Sequence, residues 1–154
     1  MKTYIRNVLC LICSTFLFVA CNNTDDVEGI FTRSVWVWKG NFKVPHWKST
    51  KFTPILTQEQ AQDLMAHTGE YRISFREDGS IVGKGSFTTF TGHWRADGKE
   101  RTFYCDITPA TTPVGLDKLF IESLKQVQYY RGDQRYVQLF FSDKQTYLFI
   151  SSAQ

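Results

Sequence analysis

Cysteine is scarce in this chain and badly placed for cross-linking. Of Cys10, Cys13, Cys21 and Cys105, only the last lies in the stretch patterned like a folded domain, so no internal disulfide is available there. The Cys10-x-x-Cys13 spacing would suggest redox or metal chemistry in a cytosolic enzyme, but inside an apolar leader it is coincidence. Long apolar runs are missing too. Val8 to Val19 is about a dozen residues, short of the roughly twenty that span a bilayer as a helix, which argues against a permanent transmembrane anchor. His46, His67 and His93 stand far apart, with no His-x-x-x-His or His-Glu pair among them, so no metal site is expected. Gly-x-Ser-x-Gly is absent, and with it the usual sequence sign of a serine nucleophile. Charge of either sign is scattered rather than clustered in a basic stripe, which excludes nucleic acid as a partner.

What is present begins with a three-part N-terminus. Lys2 and Arg6 supply positive charge, Val8 to Val19 an apolar core, and Phe18-Val19-Ala20-Cys21 the close, which together read as a signal peptide over residues 1–20. The closing tetrapeptide resembles a bacterial lipobox, with Phe18 where Leu is usual and Ala20 as the small residue before the cysteine. That resemblance implies acylation of Cys21 and attachment to a membrane through an N-terminal lipid. Acyl chains such as palmitate contribute about 0.8 kcal/mol per buried methylene, so two or more would hold the protein there essentially permanently. Residues 21–30 are polar and acidic without apolar periodicity, the composition of a flexible lipidated tether. Asn22 followed by Asp25-Asp26 resembles outer-membrane lipoproteins of Bacteroidota, facing either the periplasm or the cell surface. Removing Lys2 and Arg6 takes the formal charge from +3 to +1, a nearly neutral mature protein.

Residues 31–154 are enough for one domain with a real core and too few for two. Arg33 to Val44 is rich in β-formers and broken at Gly40, which predicts a strand with a bulge. His46 to Leu56 is polar and interrupted by proline. Thr57-x-x-Gln60 is a capping box ahead of Ala61, Leu64 and Met65, a short amphipathic helix ended by Gly69. From Tyr71 the period becomes two: Tyr71, Ile73 and Phe75 alternate with polar residues, and Asp78-Gly79 makes a hairpin turn. A returning strand is expected from Ser80 to about Phe90, with Gly83 and Gly85 at a bulge or beside a close neighbour. A short strand at Gly92 to Arg95 and a turn at Asp97-Gly98 follow. Phe103, Cys105 and Ile107 then point one way and Thr102, Tyr104 and Asp106 the other.

A loop with Pro109 and Pro113 leads to a second helix, started by Asp117 and carrying Leu116, Phe120 and Leu124. The chain closes as a meander: Val127 and Tyr129, a turn at Gly132-Asp133, Val137, Leu139 and Phe141, a turn near Asp143-Lys144, then Tyr147 and Phe149. The expected fold is mostly β (α+β): an antiparallel meander of roughly eight strands forming a small barrel or strongly curved sheet, with two short helices.

From Tyr71 to Ile150 the order of features resembles the META/HslJ-like domain, a small secreted or lipidated module of bacterial envelopes. The matching steps are Ile73 to Gly79, Gly83-Lys84-Gly85, Phe90-Thr91-Gly92-His93-Trp94, Thr111-Thr112, Leu124 to Tyr130 and the closing hairpin. The chain departs where Phe87-Thr88 replace the family's Cys-Asn pair, and in the insertion that carries the Thr57 helix. The resemblance implies a fold and an envelope location, and no catalytic chemistry.

Cys105, between Phe103 and Ile107, reads as a buried small hydrophobe; a nucleophile would need exposure and a base, for which only His93 is a candidate. Aromatic residues make up 16% of the chain, a high share that fits a ring-filled core or an exposed recognition surface. Most should pack inward, while Trp36, Trp47, Trp94, Tyr130 and Tyr136 are the candidates for a recognition patch. The resulting expectation is a non-enzymatic, monomeric binding or structural module without cofactor, its partner an envelope protein or cell-surface component. The alternative is a lipocalin-like carrier of a small apolar ligand. Filled and hollow barrels share the same alternation, so sequence does not separate the two.

Overall fold

Alternating side chains put one face of each strand toward a common core, and here that core is enclosed by a sheet rolled onto itself. The computed structural model describes residues 24–153. In chain order its elements are α1 (Val27–Phe31), β1 (Val35–Lys43), β2 (Thr53–Pro54), α2 (Gln58–Ala66), β3 (Arg72–Phe75), β4 (Ser80–Lys84) and β5 (Thr89–Asp97). They continue with β6 (Thr102–Pro109), α3 (Gly115–Lys125), β7 (Val127–Gly132), β8 (Tyr136–Phe141) and β9 (Thr146–Ser152). Strands β3 to β9 pair in sequence order, all antiparallel, and β9 then pairs with β1, which pairs with β3. The result is a closed ring of β1 and β3 to β9, with β2 added on the edge of β1 beyond β3 through Phe42↔Pro54 and Lys43↔Thr53.

The break at Gly40 is a register shift in the β1–β9 ladder, and its φ of 122° is one that favours glycine. Because of it Trp36, Trp38 and Asn41 are buried toward the bore while Phe42 is paired with Tyr147 on the outside. Gly83 and Gly85 are both demanded by close neighbours. A Cβ at Gly83 would lie 2.1 Å from the Phe90 ring, and one at Gly85 2.5 Å from the Asp117 carboxylate. Two strands therefore occupy the expected Ser80 to Phe90 segment: β4 ends at Lys84, residues 85–88 form a loop, and β5 begins at Thr89.

Rings fill the bore from both ends. At one end α1 inserts Phe31, whose ring centroid lies 5.2–5.3 Å from those of Phe75, Trp94, Phe103 and Tyr130. At the other, α3 inserts Phe120, stacked on Trp38 at 5.1 Å and edge-on to Phe90 and Tyr71. Ile73, Ile81, Val137, Leu139, Leu148 and Ile150 are buried in the same cluster. Polar groups drawn inside are paired: Trp38 Nε1 donates to Asn41 Oδ1 at 3.1 Å, and Asn41 Nδ2 donates to Ser123 Oγ at 2.7 Å.

Among the described residues three helices form where two were expected, and the extra one, with Asp25, places residues 25–30 of the expected tether in the folded unit. Asp26 caps α1 by accepting from Gly29 N at 2.9 Å. Asp25 accepts from the Tyr130 hydroxyl at 3.0 Å, pairs with Arg101 Nε at 3.0 Å, and donates its N–H to Gly98 O. The folded unit thus includes Asp25, because its carboxylate bonds the buried Tyr130 hydroxyl and the half-exposed Arg101 guanidinium. The α2 capping box forms as expected, with Gln60 N to Thr57 Oγ1 at 3.2 Å and Thr57 N to Gln60 Oε1 at 3.0 Å. Of its apolar stripe only Leu64 is buried, and Met65 faces solvent.

Asp117 does not start α3. Its carboxylate reaches across to the loop between β4 and β5, accepting from the N–H groups of Ser86 (3.0 Å), Phe87 (3.0 Å) and Thr88 (2.8 Å). With Asp117 only 1% exposed, these bonds are shielded from water. Replacing it by Ala strands three backbone donors, so Asp117→Ala should lower stability by about 3 kcal/mol, read as a fall in the urea midpoint at constant slope.

Candidate functional site

Outward side chains of an eight-stranded ring normally meet water, yet on the β1–β9–β8–β7 wall several are aromatic, and Phe140 and Tyr147 are buried. Registers Phe42↔Tyr147, Phe140↔Tyr147, Gln138↔Phe149 and Arg131↔Gln138 set these residues side by side on the outer face. On β8 the expected alternation holds, with Val137 and Leu139 in the bore, but on β9 it is reversed: Leu148 and Ile150 point into the bore, and Tyr147 and Phe149 point out. A bulge between Val127 and Tyr129 likewise turns Tyr129 outward and Tyr130 inward.

Residues 44–52 fold back over this wall. Val44 and Trp47 pack on Phe140 and Tyr147, with the Trp47 and Phe140 rings 4.4 Å apart, and Phe52 stands edge-on to Phe42 at 5.3 Å. Arg131 holds the loop down. Its guanidinium donates to the carbonyls of Trp47 and Ser49 and, at 2.7 Å, to Gln138 Oε1, and lies 5.3 Å from the Phe140 ring centroid. Burial lowers the pKa of Arg131, with the nearby Arg101 guanidinium pushing the same way, but an arginine keeps its charge at neutral pH. Lys144, at φ 53° in the β8–β9 turn, adds a cation 4.1 Å from the Tyr129 ring.

Between the loop and the wall lies a groove of about 720 Å³, within the size range of small-molecule sites. Its apolar lining is Phe42, Phe52, Tyr136, Tyr147 and Phe149; Arg101, Arg131, Asp133, Gln138 and Thr50 supply polar groups. Phe52 (59% exposed) and Tyr136 (48%) stand at its mouth, offering ring surface that no part of the fold covers.

The five aromatic candidates separate by location. Tyr136 lines the groove, and Trp47, in the folded-back loop, packs its ring onto Phe140 of the wall. Trp36 and Tyr130 are fully buried in the bore and face no partner, a correction that follows from the strand alternation and the β7 bulge. Trp94 is half-buried at the Phe31 end, its Nε1 donating to Arg76 O at 2.9 Å. Cys21 lies outside the described residues. Phe42, Phe52, Tyr147, Phe149 and Arg131 went unnoticed. The available signal was the unbroken apolar run Tyr147 to Ile150, which marks a strand covered on both faces.

Cys105 points into the bore, its Sγ donating to Leu124 O at 3.2 Å, while His93 projects from the outer face beside Asp106. The two cannot act as a nucleophile–base pair, since the barrel wall separates them. Among the described residues no three of His, Cys, Asp and Glu gather to hold a metal ion, and no helix is long and apolar enough to cross a membrane.

Two outcomes follow. Arg131→Ala should free the 44–52 loop, giving faster proteolysis at Lys48 and Lys51 and a stability loss of roughly 1–3 kcal/mol. Burial pushes the Cys105 thiol up to about 12 from 9.0. A thiol with a raised folded-state pKa contributes fully below 9.0 and loses that contribution as pH rises toward 12, so alkaline stability should fall less steeply in Cys105→Ala. Urea titrations at stepped pH would measure the difference.

A crystal structure of a DUF4847 family protein from Bacteroides vulgatus superposes with a TM-score of 0.72 at 24% identity, covering 81% of this chain and 96% of that one. At that identity the likeness speaks for the fold alone. No curated protein matches the chain. The family described as a domain of unknown function, DUF4847, matches residues 22–153, essentially the whole folded unit, and the chain belongs to that family.

Proposed function

We propose that the protein is an exported envelope lipoprotein, acylated on Cys21 and held at the outer membrane, whose barrel is a non-enzymatic binding module. The outer-wall groove is its recognition surface, and an envelope or cell-surface component is its partner. The observation that carries this reading is the contrast between a bore filled with rings and an outer groove of about 720 Å³ with aromatic side chains at its mouth. A lipocalin-like carrier would need the volume that Phe31, Trp36, Trp38 and Phe120 occupy, so the filled bore speaks against that alternative.

The charged, apolar and lipobox-like segments of residues 1–21 support export and acylation, and the META/HslJ-like order of features speaks for the same setting. Asp25 is bonded to Gly98 and Arg101, and Arg101 lines the groove. Only four residue steps separate Cys21 from Asp25, about 14 Å of chain even when fully extended. An acylated Cys21 would therefore keep the groove within a short distance of the bilayer surface.

Mass spectrometry of the mature N-terminal peptide should show acyl mass on Cys21, and Cys21→Ser should move the protein from the membrane to the soluble fraction. An unmodified peptide beginning at Met1 would overturn the lipoprotein reading. For the groove, the unlipidated domain should bind isolated envelopes, and Phe52→Ala/Tyr136→Ala should lose that binding with the unfolding midpoint unchanged. Equal binding by the double variant would remove the groove from the proposal.

A further inference from the structure

Of the two arginines that line the groove, Arg101 and Arg131, the second has no acid partner among the described residues. Arg101 is held by both carboxylate oxygens of Asp25, at 3.0 and 3.2 Å, and Asp133 on the rim is held by Arg135 at 3.5 Å. Among the described residues no carboxylate lies within 4 Å of Arg131; its partners are two loop carbonyls and the Gln138 amide. These account for three of the five N–H donors a guanidinium carries, and leave a half-buried positive charge at an aromatic wall. A charge in that position is costly to desolvate, and an anion brought by a ligand would offset the cost.

Resting on the groove reading above, we infer that the groove takes a small amphipathic carboxylate. Its flat apolar body would lie on Phe42, Phe149 and Tyr136, and its single anionic head would meet Arg131. A planar two-oxygen head matches the guanidinium fork, and the rings supply an apolar surface for the body. Asp133 argues for a head with one charge, because a dianion would meet that carboxylate at the rim. Gln138 Oε1 accepts from the Arg131 Nε–H, which orients the guanidinium in the groove.

Calorimetric titration of the soluble domain with naphthalene-2-carboxylate and with its neutral isostere naphthalene-2-carboxamide tests this directly. The carboxylate should bind at least roughly tenfold more tightly, as expected for one charge-assisted contact in a half-buried site. Amide shifts in a ¹H–¹⁵N spectrum should centre on Tyr136, Gln138 and Phe149. Arg131→Gln should bring the two probes to equal affinity, and because that change also loosens the loop, Phe149→Ala serves as the second variant, weakening both probes alike while keeping the preference for the acid. Equal binding of acid and amide to the parent protein, with shifts in the groove, would overturn the carboxylate and leave the groove standing. Binding of neither probe, or shifts centred elsewhere, would overturn the inference, while the envelope-binding test above judges the groove separately.

Discussion

Strand β1 is hydrogen-bonded along both edges, to β9 on one side and to β3 and β2 on the other, and the rest of the molecule follows from that double pairing. Closure removes the free edges that an open sheet would expose to other chains. It also fixes the width of the interior, since a ring of eight strands encloses a bore that side chains can just fill. The chain fills it with large rings delivered from outside the sheet as well as from it: Phe31 from α1 at one end and Phe120 from α3 at the other. With no disulfide among the described residues, the barrel is held by its strand pairing and by burial of this aromatic and aliphatic core.

A filled bore moves any recognition to the outer wall, where the chain invests a second, smaller core. Phe140 and Tyr147 are buried there because Val44 and Trp47, from the folded-back residues 44–52, pack over them. One arginine accounts for much of that arrangement, since Arg131 bonds two carbonyls of the loop and packs against the rings beneath it. The same residue shapes the groove and charges it, so the architecture of the wall and the charge of the groove rest on a single side chain.

Polar groups inside the fold act as fasteners between segments distant in sequence. Asp117 ties α3 to the loop after β4, Asn41 and Ser123 tie β1 to α3, and Asp25 ties the N-terminal end to the β5–β6 turn and to Tyr130. Each link satisfies donors that would otherwise be buried alone, which is why each side chain is polar in an apolar setting. The pairing of Asp25 with Arg101 also brings the groove close to the start of the described fold.

Local rules carried far along this chain. The capping box at Thr57 and Gln60, the glycine turn at Gly79, the bulge at Gly40 and the inward set Phe103, Cys105 and Ile107 were legible because each depends on residues adjacent in sequence or on simple alternation. Roughly eight strands in a curled meander followed from the same period-two pattern.

What depends on long-range pairing was not legible. Whether Asp117 starts its helix or clamps a loop about thirty residues away, and whether Asp25 belongs to a tether or to the fold, is decided by partners that sequence does not bring near. The same holds for the aromatic residues: alternation divides a strand into two faces but does not say that both are covered. By itself the sequence determined the elements, their turns and the barrel class, because those are written in local periodicity. Only the tertiary structure decided that the bore is full and that the groove lies outside, because ring closure and the folded-back loop assign each face its surroundings.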